Sequence, residues 1–136
     1  MKKRSLRWLW WIACALWLAL IFRQSSMPAV QSKAESGGLL SVVAQWVPFM
    51  TEHLLRKLAH FGEFGILGLL LSQCLRKNCA YPLLAGLLCA LSDETIQLFV
   101  QGRSGQVSDV WVDFSGVVCA VLFTFALRWL IKRKKR

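Results

Sequence analysis

The chain has 136 residues, 56% of them hydrophobic, with seven Trp and eight Phe against one Tyr. So apolar a composition excludes a disordered chain, and it gives far more greasy surface than a soluble core of this length needs. The formal charge of +10 does not mark a nucleic-acid binder, because Lys2, Lys3, Arg4 and Arg7 open the chain and six cations fall in its last nine residues, while all seven acids lie between Glu35 and Asp113. A nucleic-acid binder spreads its cations along a folded face; here they sit at the ends, as in a small polytopic membrane protein.

The first apolar segment, Trp8 to Phe22, is uncharged and flanked by Arg7 and Arg23. At about 1.5 Å per residue it reaches roughly 22 Å, short of the ~30 Å hydrocarbon core. Snorkelling arginines or local thinning close the gap. A secretory leader is the rival reading, but no small-residue cleavage site follows and a retained anchor is preferred. Gln24 to Gly38 is polar and turn-rich, with Pro28 and the Gly37-Gly38 pair. Leu39 to Met50 then carries Leu39, Leu40, Val43, Trp46, Val47 and Met50 at helical spacing. It is too short to span a bilayer, so an interfacial or re-entrant helix is expected there.

Three further spans follow, at about 54–75, 80–100 and 110–131, with 24–53 as an outer loop. Counting cations fixes the orientation. Twelve basic residues and no acid lie at the two termini and in the Arg76-Lys77 link, whereas the other five basic residues and all seven acids lie on the opposite side and its half of the membrane. The expected fold is an all-α membrane protein of four transmembrane helices with both termini inside, forming one membrane domain over residues 1–136. The five cysteines all lie in or beside apolar stretches and read as small hydrophobes. Cys74 and Cys79 lack a metal-ligand spacing.

Ionisable groups within a span are costly and are therefore functional candidates. His53, Arg56, Lys57, His60 and Glu63 fall within an arc of about 120° of the second span. Asp93, Glu94, Gln97 and Gln101 share about 100° of the third, and Asp109 and Asp113 are one turn apart on the fourth. With alternating span directions, the three polar half-faces meet in the outer leaflet under the Gln101–Asp109 loop, which carries Arg103. The inner halves are almost wholly apolar, which disfavours a channel. Lys57, His60, Glu63, Asp93, Glu94, Gln97, Arg103, Asp109 and Asp113 form the candidate polar cluster. Arg56, Lys57 and Arg103 leave two of its five carboxylates unbalanced. The surplus calls for a protonated His60, a shared proton or a cation. Simple structural pairing is the bland alternative. No spacing resembles a tight metal site, and no metal or other cofactor is assigned. Ser92, Ser104 and Ser108 make poor nucleophiles with only His60 as a base.

The motifs Arg56-Lys57-x-x-His60-Phe61-x-x-Phe64-x-x-Leu67-Gly68, Ser92-Asp93-Glu94-x-x-Gln97, Gly102-Arg103, Asp109 and Asp113-x-x-Gly116 resemble those of the VanZ-like family of small bacterial membrane proteins. The resemblance covers about residues 8 to 131. Many relatives carry Tyr in place of Phe64 and Pro in place of Gln101. The resemblance implies a multi-pass protein of the bacterial cytoplasmic membrane and a link to low-level glycopeptide resistance, teicoplanin above all. It brings no agreed mechanism or catalytic residues. The expected function is an envelope protein whose outer-leaflet pocket binds a lipid-linked cell-wall precursor or a lipid headgroup. Arg103 and Lys57 are expected to hold the anion, and Asp113 to fix one of them. A membrane-embedded enzyme on the same lipids, with His60 and a carboxylate as acid and base, is the alternative; a structural partner of envelope enzymes is the third.

Overall fold

The computed structural model describes residues 7–43, 46–47 and 50–134. Five helices follow in order: α1 (Arg7–Ser25), α2 (Ala29–Val43), α3 (Glu52–Cys74), α4 (Ala80–Leu98) and α5 (Val107–Lys134), with no strand among the described residues. Two of them, α1 and α5, are long and apolar enough to cross a membrane. The Asp, Glu, His, Arg and Lys residues of α3 and α4 keep those two helices below that mark.

The core lies where α3, α4 and α5 meet, with α1 packed across α3 and α4. Phe64, Leu67, Leu71, Ala90, Val117 and Val121 fill it, with Cys14 and Ile21 contributed by α1. Outward faces remain apolar: Trp8, Trp11 and Leu16 on α1, Leu58 and Ile66 on α3, Leu84 and Leu88 on α4, and Leu122 and Phe123 on α5 are all exposed. Apolar surface on every long helix needs a nonaqueous neighbour.

Helix ends follow local chemistry. Thr51 caps α3 in an extended conformation, its hydroxyl accepting from Leu54 N at 3.2 Å. This satisfies one of the free N–H groups of the first turn. Thr51→Ala is expected to lower stability by about 1 kcal/mol, read by thermal unfolding in detergent, and Thr51→Ser to retain it. At the other end of α3, Arg128 reaches from α5, donating from Nη2 to Ser72 O and Gln73 Oε1, both at 2.9 Å. A cation at a helix C-terminus offsets its partial negative charge. Between α4 and α5 the chain turns through Gly102, whose φ of 77° lies in the left-handed region, closed by Arg103 N to Val100 O at 3.1 Å. Only glycine adopts that backbone without strain.

The segment after α1 departs from expectation. The helix anticipated over Leu39–Met50 instead occupies Ala29–Val43, so the stretch read as turn-rich is helical through Gly37 and Gly38. Trp46 lies in a turn and Val47 outside any helix; residues 44–45 and 48–49 lie outside the described residues. Two prolines account for the shift. Pro28 stands just before the first turn, where a missing N–H costs nothing. Pro48 removes a donor and disfavours helix at Val47. The helix start is also tied down, with Ala29 N donating to Gln101 O at 3.3 Å, which offsets the glycine pair's cost of ~1 kcal/mol per residue.

Candidate functional site

Short links make α3, α4 and α5 alternate in direction, so the start of α3, the end of α4 and the start of α5 share one end of the bundle. A cavity of about 280 Å³ opens there. Its lining includes Lys57, His60, Glu94, Gln97, Arg103, Asp109 and Asp113, seven residues of the polar cluster read from the sequence. Asp93 and Glu63 stand behind this lining. Asp93 is bonded to Gln97, and the Glu63 carboxylate lies within electrostatic reach of His60, Asp93 and Asp113.

Cations dominate the mouth. Lys33, Arg56, Lys57 and Arg103 all line it, with His53 beside them. Lys57 Nζ donates to Asp109 Oδ1 at 2.9 Å, and Arg56 Nη2 lies 3.4 Å from Glu52 Oε1. Arg103 donates from Nη2 to Gln24 O at 3.3 Å, while its buried Nε has no hydrogen-bond partner among the described residues. Burial, and after it the neighbouring Arg56, push the Arg103 guanidinium below the ordinary arginine value, with Asp93 and Glu94 opposing. It remains a cation at neutral pH.

Acids dominate the floor. Asp93 is buried, with Oδ1 accepting from Ser25 Oγ at 2.6 Å and Oδ2 from Gln97 Nε2 at 3.0 Å. Glu94 Oε2 accepts from Gln106 N at 2.9 Å, tying the 101–106 loop to α4. Asp113 is 0% exposed, and neither of its oxygens has a hydrogen-bond partner among the described residues. Its nearest charged neighbour is His60, with Nδ1 3.4 Å from Oδ1. The carboxylates of Asp93 and Asp113 and a ring nitrogen of His60 lie within 4.8 Å of one another, close enough to hold a metal ion.

One expected pairing is corrected. Asp113 fixes neither Arg103 nor Lys57; Lys57 meets Asp109, and Asp113 meets His60. The reason is register. α3 and α5 run parallel, so the pair one turn further along each helix, His60 and Asp113, sits one turn deeper than Lys57 and Asp109. Two participants escaped the sequence reading. Ser25 falls in the stretch expected as outer loop and instead closes α1, and Gln106 reaches Glu94 only through its backbone N–H, which no side-chain pattern reveals.

No curated protein sequence and no solved structure matches this chain. A profile of the VanZ/LLP1 family matches residues 10–129, which include every residue lining the pocket. The protein belongs to the VanZ/LLP1 family.

Proposed function

We propose that the protein is a multi-pass component of the bacterial cytoplasmic membrane that binds the anionic headgroup of an envelope lipid or lipid-linked cell-wall precursor. In this reading α1, α3, α4 and α5 all span, both termini face the cytoplasm, and residues 1–136 form one membrane domain. The pocket then opens at the outer leaflet. Support for the four spans comes from the apolar faces exposed on all four helices and from described basic residues, among them Arg7, Arg76, Lys77 and Arg128, at the opposite end.

The observation that carries the reading is Arg103. A half-buried guanidinium lines the cavity with its Nε lacking an acceptor among the described residues. Buried donors need acceptors, and phosphate oxygens match the planar guanidinium fork. Lys57 and Arg56 add positive charge beside it. Occupying or masking the lipid at this site would reduce glycopeptide binding at the surface, giving low-level teicoplanin resistance.

Expressed in a teicoplanin-sensitive Gram-positive host, the wild type should raise the inhibitory concentration severalfold, with a smaller effect on vancomycin. Arg103→Ala at equal membrane abundance should lose that protection. Loss of one charge-assisted hydrogen bond, worth about 1.5–3 kcal/mol, weakens lipid binding roughly tenfold or more. Equal protection by both proteins removes the pocket from the mechanism, and no protection by either removes the resistance role.

A second reading is favoured by His60, held beside buried Asp113 on the pocket floor. The pair has the composition of an acid–base couple, which makes the protein an enzyme acting on the same lipids. His60→Ala should then abolish turnover, while a pure binder is only weakened by it.

A further inference from the structure

The geometry points to a divalent transition-metal site formed by His60, Asp93 and Asp113 on the pocket floor. Each ligand comes from a different helix, α3, α4 and α5 in turn, and the donor atoms lie within 4.8 Å of one another. An ion with ligands at about 2.0–2.2 Å needs them about 3.3–3.6 Å apart in a tetrahedral site, so small side-chain movements complete it.

Two observations call for a cation at this position. The first is Asp113, fully buried with both oxygens lacking hydrogen-bond partners among the described residues. Its 3.4 Å approach to His60 Nδ1 is longer than the ~2.7–2.9 Å of a charge-assisted hydrogen bond. The second is charge. No Lys or Arg nitrogen among the described residues lies within ion-pair distance of Asp93 or Asp113, and Glu63 adds a third carboxylate nearby. Uncompensated carboxylates away from water cost several kcal/mol each. A divalent ion balances two of them, as two protons also would, and in addition gives the three donors a common partner.

The donor set selects the ion. One imidazole with two carboxylates suits Mn²⁺ or Zn²⁺; Ca²⁺ takes six to eight oxygens, and Mg²⁺ binds through carboxylates and water. Asp93 is also held as metal-bound carboxylates are held, by the Ser25 hydroxyl and the Gln97 amide. Three protein ligands leave coordination positions on the cavity side, where water or an anionic oxygen completes the shell. The site is independent of which lipid enters above it.

Full-length protein in detergent, stripped with chelator and given no lipid, provides the test, with Mn²⁺ as the probe in a calorimetric titration. One Mn²⁺ per chain is expected, displaced by Zn²⁺ and not by equimolar Mg²⁺, with at least tenfold weaker binding in Asp113→Asn and in His60→Gln. Should those variants fail to fold, pulsed electron paramagnetic resonance of Mn²⁺ on His53→Ala decides. His60 is then the one histidine left of the chain's two, and a directly coordinated imidazole nitrogen is expected. Absence of stoichiometric Mn²⁺, unchanged affinity in both variants, or absence of nitrogen coupling overturns the site. Because no lipid is present, such a failure leaves the headgroup reading to its own test.

Discussion

Gly116→Leu is expected to yield no folded protein. α3 and α5 run parallel and make the most extensive helix contact in the fold. At Gly116 a Cβ would collide with the backbone carbonyl oxygen of Phe61 and stand 3.1 Å from Gly65 N. The same seam continues one turn on, where a Cβ at Gly68 would lie 2.9 Å from Val117 O. Backbone atoms cannot rotate aside as a flexible side chain can, so the helices must separate. Overpacking ordinarily costs about 1–3 kcal/mol, and separating the central pair places this case at or above that range. Gly116→Ala should already lower the thermal midpoint in detergent, and Gly116→Leu should elute as aggregate in gel filtration. Gly62 provides the contrast, since nothing lies within 4 Å of a Cβ there. Gly62→Ala should gain up to ~1 kcal/mol from helix propensity. A monodisperse Gly116→Leu protein with wild-type melting would contradict the close seam.

The second large effect is expected from Ser25→Ala, a loss of one hydroxyl costing about 2 kcal/mol. Ser25 is 1% exposed, and its Oγ donates to Asp93 Oδ1 at 2.6 Å across 68 residues of sequence. A hydrogen bond to a charged group contributes about 1.5–3 kcal/mol, and deleting the donor leaves a buried carboxylate oxygen with less than it needs. Thermal unfolding of Ser25→Ala, Asp93→Asn and the double variant checks this. The double variant should lose less than the sum of the two single losses, because the substitutions remove one shared interaction. Strict additivity would show that the hydroxyl does not hold Asp93.

The cluster was readable because its residues are anomalies. His60, Asp93 and Asp113 stand out in apolar runs, and helical periodicity places each on a definite face. Periodicity fixes azimuth and leaves relative height between helices open. That is why Lys57–Asp109 and His60–Asp113 could be assigned as partners only after the glycine seam had set the register. Glu63 shows the same limit, sharing the stripe of His60 while lying beyond the pocket lining. Ser25 gave no signal, since a serine at the end of an apolar run is indistinguishable from the first residue of a loop. The helix at Ala29–Val43 was hidden by Gly37 and Gly38, whose local preference is outweighed by the anchoring of the helix start, where Ala29 N donates to Gln101 O.

The cavity lining reaches no deeper than His60, Gln97 and Asp113. Beyond them Phe64, Leu67, Ala90 and Val117 close the bundle with apolar side chains that are fully buried. Among the described residues the pocket is therefore closed at its base: whatever enters must leave through the same mouth. In the four-span reading proposed above, its occupancy follows the concentration on one face of the membrane, and a gradient across the bilayer can do no work through it.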